Sequence, residues 1–164
     1  MENQQGSQLK PELSFDYFAK RKEKAKEIYL AQKNIYCPYF KCEVILNSDG
    51  FHHLQFSARR ERNKNEQILK FNLLPLALKI IRNSGTIQEI RKGIIATSKP
   101  GKDGFSQTKN VEYWGLIAIV GNHNVKVRVI LRRIGDGNIV FWSVMPDSNL
   151  KKGQKLYLGG IEDD

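Results

Sequence analysis

Three β-prone runs follow one another in the last third of the chain: Val111 to Val120, Asn124 to Ile134 and Asn138 to Met145. They constrain the fold more than any other feature. Gly121-Asn122-His123 and Gly135-Asp136-Gly137 join them, and both are hairpin turn sequences. With Asp136-Gly137 as a two-residue turn, Arg132 lies opposite Phe141, Ile130 opposite Ser143 and Arg128 opposite Met145, while Leu131 meets Trp142 and Val129 meets Val144 on the other face. With Asn122-His123 as the first turn, Tyr113 pairs with Arg132, Gly115 with Ile130 and Ile117 with Arg128. Trp114, Leu116 and Ala118 then face Leu131, Val129 and Val127.

The two registers agree. One face is wholly apolar: Trp114, Leu116, Ala118, Val127, Val129, Leu131, Val140, Trp142 and Val144. That is the pattern of a sheet packed on helices. The other face carries Tyr113, Arg128, Arg132 and Ser143 among smaller apolar neighbours. A slip of one residue would bury the arginines, which is costly.

The front of the chain is helical. Leu13 to Asn34 reads as a helix with Ser14 as N-cap and Phe15, Phe18, Ala25, Ile28 and Tyr29 on one face, ended by Cys37-Pro38. Lys41 to Leu46 is β-prone, and Asn47-Ser48-Asp49-Gly50 is a turn signal. Phe51 to Ser57 reads as a short strand or the start of a helix. Glu66 to Ile81 reads as two short helices broken near Pro75, and Thr86 to Ile95 as a strand. The expected class is α+β: N-terminal helices on one face of a twisted antiparallel sheet, with three C-terminal strands plus one or two earlier ones. A flexible N-terminus (1–12) precedes one domain (13–160, with a leading helix over 13–35 and a core over 41–146), and an acidic tail (161–164) follows.

Charge narrows the partner. Lys and Arg number 27 against 17 Asp and Glu, a formal net charge of +10 at pH 7. An excess of that size points to a polyanion. No signal peptide or membrane span is visible, so a cytoplasmic protein with no membrane partner is expected. Cys37 and Cys42 stand in a C-x4-C spacing without a second pair, so two reduced, partly buried thiols are expected in place of a zinc site.

No carboxylate cluster, phosphate-cradling loop or G-x-S-x-G motif appears. A metal-free set of His, Arg, Lys, Tyr and Ser remains, with no cofactor expected. Such a set suits RNA cleavage by attack of the 2′-hydroxyl, with a base, an acid and cations that stabilise the phosphorane. His52 and His53 are adjacent, so on an extended segment only one faces a given site. His123 falls at a hairpin tip.

The segment Val44-Ile45-Leu46-Asn47, then Gly50-Phe51-His52-His53-Leu54, a basic connector, Val127-Arg128-Val129-Ile130-Leu131-Arg132 and Ile139-Val140-Phe141-Trp142-Ser143-Val144-Met145 resembles the phage- and mobile-element-associated branch of the barnase–EndoU–colicin–RelE-like ribonuclease superfamily. The resemblance covers roughly Lys41 to Met145. It implies a cleavage site on the exposed sheet face, metal-free RNA cleavage by a toxin, and a cognate acidic inhibitor or antitoxin. It implies His53 as general acid/base with His52 as fallback, Arg128 and Arg132 on the scissile phosphate, Ser143 on a phosphate oxygen and Tyr113 stacking on a base or donating a proton. Arg59, Arg60, Arg62 and Lys126 would hold flanking phosphates. No glutamate stands at a clear base position: Glu112 falls on the apolar-face parity, opposite Arg133. The alternatives are a non-catalytic nucleic-acid-binding module and a protein-interaction component using the same basic face.

Overall fold

The computed structural model describes residues 15–122, 125–147 and 161–164, apart from the side chain of Asp163. In chain order the elements are α1 (Phe15–Gln32), β1 (Asn34–Cys37), β2 (Cys42–Ile45), α2 (Ser48–His53), α3 (Lys64–Asn83), β3 (Glu89–Ala96), β4 (Thr108–Val120), β5 (Val125–Ile134), β6 (Val140–Pro146) and a 3-10 turn (Ile161–Asp163). The fold is α+β. The strands form one six-stranded open sheet in the order β1-β2-β6-β5-β4-β3, and every pairing is antiparallel except β2 with β6. Among the described residues no helix is long and apolar enough to cross a membrane.

The helices lie on the apolar sheet face. Ala25 and Tyr29 of α1 join Phe71, Leu74, Leu78 and Ile81 of α3 over Trp114, Leu116, Val127, Val129, Leu131 and Val144. α3 is one continuous helix, not two. Asn63 caps it and exchanges hydrogen bonds with Glu66. Pro75 sits on its exposed side, and the helix runs through it. Its apolar pattern is dense because the helix is covered from two sides, by the sheet and by α1.

α1 stops earlier than expected. Lys33 takes a left-handed φ of 48°, and Asn34–Cys37 turns into a strand paired with Cys42–Ile45. Pro38 belongs to that hairpin turn and does not end the helix. Cys37 is buried and Cys42 exposed, facing each other across the strands.

The β4–β5 register is the expected one throughout, including Tyr113↔Arg132, Trp114↔Leu131 and Ala118↔Val127. Glu112 faces Arg133 and is ion-paired to it. His123 and Asn124 lie outside the described residues. The β5–β6 pairing holds at Arg128↔Met145, Val129↔Val144 and Ile130↔Ser143, and then departs. Leu131 meets Phe141 and Arg132 meets Val140, with a bulge between. The turn closes one residue early: Gly137 N donates to Ile134 O (3.0 Å) around Gly135 at a φ of 53°. The bulge absorbs that offset. Phe141 therefore enters the core, and Trp142 and Val140 leave it for the other face.

Candidate functional site

The face expected to be open and basic is half covered. Val111, Tyr113, Ile130 and Met145 form a second small core there with Ile161. Residues 161–164, read from sequence as an acidic tail, thus lie against the sheet.

β2 reaches β6 only at Ile45↔Val140, where Ile45 N donates to Ile139 O (2.9 Å). Beyond Val140 no described strand borders β6 on that side, and the ends of α2 and α3 fill the place. There a polar cluster is buried around the carboxylate of Asp164.

α2 delivers His53. Asn47 caps α2, its Oδ1 accepting from Gly50 N (3.0 Å), and Tyr29 donates to Asn47 O (2.7 Å). Gly50 crosses β6 so closely that a Cβ there would overlap the Phe141 carbonyl and the Tyr29 hydroxyl. This contact seats His53 against Trp142, rings stacked at 4.1 Å. The segment is helical, so His52 points elsewhere and stacks on Phe56.

The connector after α2 supplies Arg62. It is buried, and its Nε donates to His53 O (3.2 Å), tying α2 to the site. One Nη donates to Asp164 O (3.0 Å) and Oδ2 (3.2 Å). α3 supplies Lys70, fully buried, whose Nζ donates to Ser143 Oγ (2.8 Å), Val144 O (3.0 Å) and Asp164 Oδ2 (3.0 Å) and Oδ1 (3.2 Å). Ser143, also fully buried, donates to Asp164 Oδ2. His53 Nε2 lies 3.5 Å from Asp164 Oδ2 and 3.4 Å from Arg62.

Burial lowers the His53 pKa, with Asp164 acting against it, and holds the ring neutral. Burial brings Lys70 down to about 8, with Asp164 again acting the other way. Burial alone would raise the Asp164 pKa; the hydrogen bond from His53 and the charges of Lys70 and Arg62 hold it well below the usual carboxylate range.

Trp142 links this cluster to Arg132, whose guanidinium carbon sits 3.3 Å from its ring centroid. Arg132 Nε is buried with no partner among the described residues, and burial lowers its pKa, with Tyr113 and Asp49 opposing. Beside it lies a cavity of about 240 Å³ lined by Asn47, Asp49, Arg132 and Asn138. A larger groove of about 560 Å³ near Ile94, Lys109 and Asp136 is lined by none of the cluster residues.

His53, Ser143 and Arg62 are thus gathered in one place, with Arg132 and Tyr113 adjoining. Arg128 is not. It stands four residues from Arg132, about 13 Å along the strand, and is ion-paired to Glu89 (2.9 Å) and Asp147 (2.8 Å), which also binds Lys126 (2.9 Å). Arg59 and Arg60 are exposed, Arg60 being paired to Glu66. Lys70, Trp142 and Asp164 were not legible as site residues. The one available signal was that Gln67 and Lys70 interrupt the apolar face of α3. Among the described residues no three His, Cys, Asp or Glu side chains come together as a metal site would need. No protein-family model, no curated protein and no solved structure matches the chain.

Proposed function

We propose that this protein is a metal-independent endoribonuclease acting in the cytoplasm, a toxin held in check by an acidic inhibitor. The observation that carries the reading is the convergence of His53, Arg62, Lys70 and Ser143 on a single anion, the Asp164 carboxylate. Two cations and a hydroxyl that donate to one anion, with a neutral imidazole beside them to act as base, suit a scissile phosphate.

In the reaction, neutral His53 takes the proton of the 2′-hydroxyl as its oxygen attacks the adjacent phosphorus. Lys70, its pKa brought down to about 8 by burial, gives a proton to the departing 5′ oxygen. Arg62 and Ser143 hold the phosphorane oxygens. The products are a 2′,3′-cyclic phosphate and a free 5′-hydroxyl. The cavity beside Arg132, with Asp49, Asn47 and Asn138, receives a flanking base. DNA, lacking the 2′-hydroxyl, is bound without being cut.

The test is cleavage of total RNA by wild-type and Asp164→Ala proteins in EDTA, with end-mapping for the cyclic phosphate. His53→Ala is expected to abolish cleavage and leave RNA affinity within a few fold. No cleavage by either protein, or equal loss of binding and cleavage in His53→Ala, refutes the reading. A second reading, a non-catalytic nucleic-acid-binding module, is favoured by the full burial of Lys70 and Ser143. It expects salt-sensitive RNA binding without cleavage.

A further inference from the structure

We infer that residues 161–164 are a displaceable internal ligand: the Asp164 carboxylate occupies the place of a phosphate group among His53, Arg62, Lys70 and Ser143, and phosphoryl anions compete with this segment for it. The inference rests on the anion-site reading above and adds its regulation.

Donor arithmetic is the first support. Oδ2 of Asp164 is faced by Lys70, Arg62, Ser143 and His53 together, whereas Oδ1 is faced by Lys70. One carboxylate oxygen offers two lone-pair sites. The donors thus crowd onto one oxygen of the present occupant, and a phosphate, with more oxygens, would spread them. Charge is the second support. Arg62 and Lys70 both pair with this one side chain, so the place is built for an anion and suits a phosphate dianion at least as well as a single carboxylate.

The anchorage of the segment is the third. Ile161 is its buried apolar contact, in the small second core. Glu162 adds an ion pair to Arg91 at 3.7 Å that is half exposed on both sides. Pairs of that kind hold weakly. Departure of the segment would take away a direct partner of Lys70 Nζ and Ser143 Oγ, two fully buried groups. The closed form is therefore one in which substrate and segment exclude each other.

The test is binding of inorganic phosphate to the full chain, by calorimetry and by thermal stability against chloride at equal ionic strength. Wild type, Asp164→Ala and Ile161→Ala are compared. Asp164→Ala is expected to bind phosphate about tenfold or more tightly than wild type, with Ile161→Ala between them, and adding Lys70→Met to Asp164→Ala removes the gain. An Asp164→Ala protein that folds only when phosphate is present supports the inference. Unchanged phosphate affinity in Ile161→Ala, which keeps the ion cluster whole, overturns it. A gain in phosphate affinity without RNA cleavage in any variant refutes the ribonuclease reading and leaves this one standing. Cleavage at equal rates with no gain in phosphate affinity does the reverse.

Discussion

Lys70 gives the fold a pH dependence of a particular sign. Its ammonium is fully buried, and burial brings its pKa from 10.5 down to about 8. Below pH 8 the group is charged in both folded and unfolded chains, and keeping it buried costs stability. Between pH 8 and 10.5 the folded chain has released the proton while the unfolded chain still holds it. Stability therefore rises with pH across that window. The span is about 2.5 units at about 1.4 kcal/mol each, or about 3 kcal/mol. Buried Cys37 and Tyr29 have raised pKa values and act in the opposite direction near their own ordinary values, so the wild-type curve alone mixes these effects with that of Lys70. Lys70→Met removes the amine and keeps a side chain of similar reach. The quantity to measure is the wild-type stability minus that of Lys70→Met, from urea unfolding at half-unit steps from pH 7 to 10.5. It is expected to grow by about 3 kcal/mol, which at a slope of about 2 kcal/mol/M is a relative midpoint shift of roughly 1.5 M. A difference that stays flat, or falls with pH, refutes the argument that desolvation of this ammonium dominates its surroundings.

Two further outcomes follow from the packing. Gly50→Ala forces α2 off β6, because its Cβ would meet the Phe141 carbonyl and the Tyr29 hydroxyl; a loss of about 1–3 kcal/mol in urea unfolding is expected, and, if the proposed ribonuclease reading holds, a loss of cleavage with it as His53 is displaced. Thiol titration of the folded protein is expected to show one fast cysteine, the exposed Cys42, with Cys37 reacting only at the rate of unfolding, since burial both covers it and raises its pKa.

Much of the sheet was legible because alternation is a strict rule. Trp114, Leu116 and Val129 had one consistent face, and the β4–β5 ladder follows it for its full length. Trp142 was misplaced because hairpin chemistry does not say which two residues of Gly135-Asp136-Gly137 are central, and a bulge leaves no mark in composition. A proline in mid-pattern predicts two helices at Pro75, whereas tertiary packing on both flanks keeps one. His53, Arg62 and Ser143 carried chemistry visible in residue type. Lys70 is a lysine in a helix and Asp164 one acid among several; what sets them apart is burial, and burial of a polar side chain is a property of the fold. The net charge of +10 points to a polyanion and the strand register to a basic face, yet Arg128 and Lys126 are met by Glu89 and Asp147.

The junction of β2 and β6, a single residue pair, bears on self-association as well as on chemistry. A strand left without a neighbour invites another chain to add one. Here the ammonium of Lys70 accounts for the Val144 carbonyl on that border, and the ions around it make the border inhospitable to an incoming backbone. The ends of α2 and α3, with these ions between them, thus close the border to intermolecular pairing.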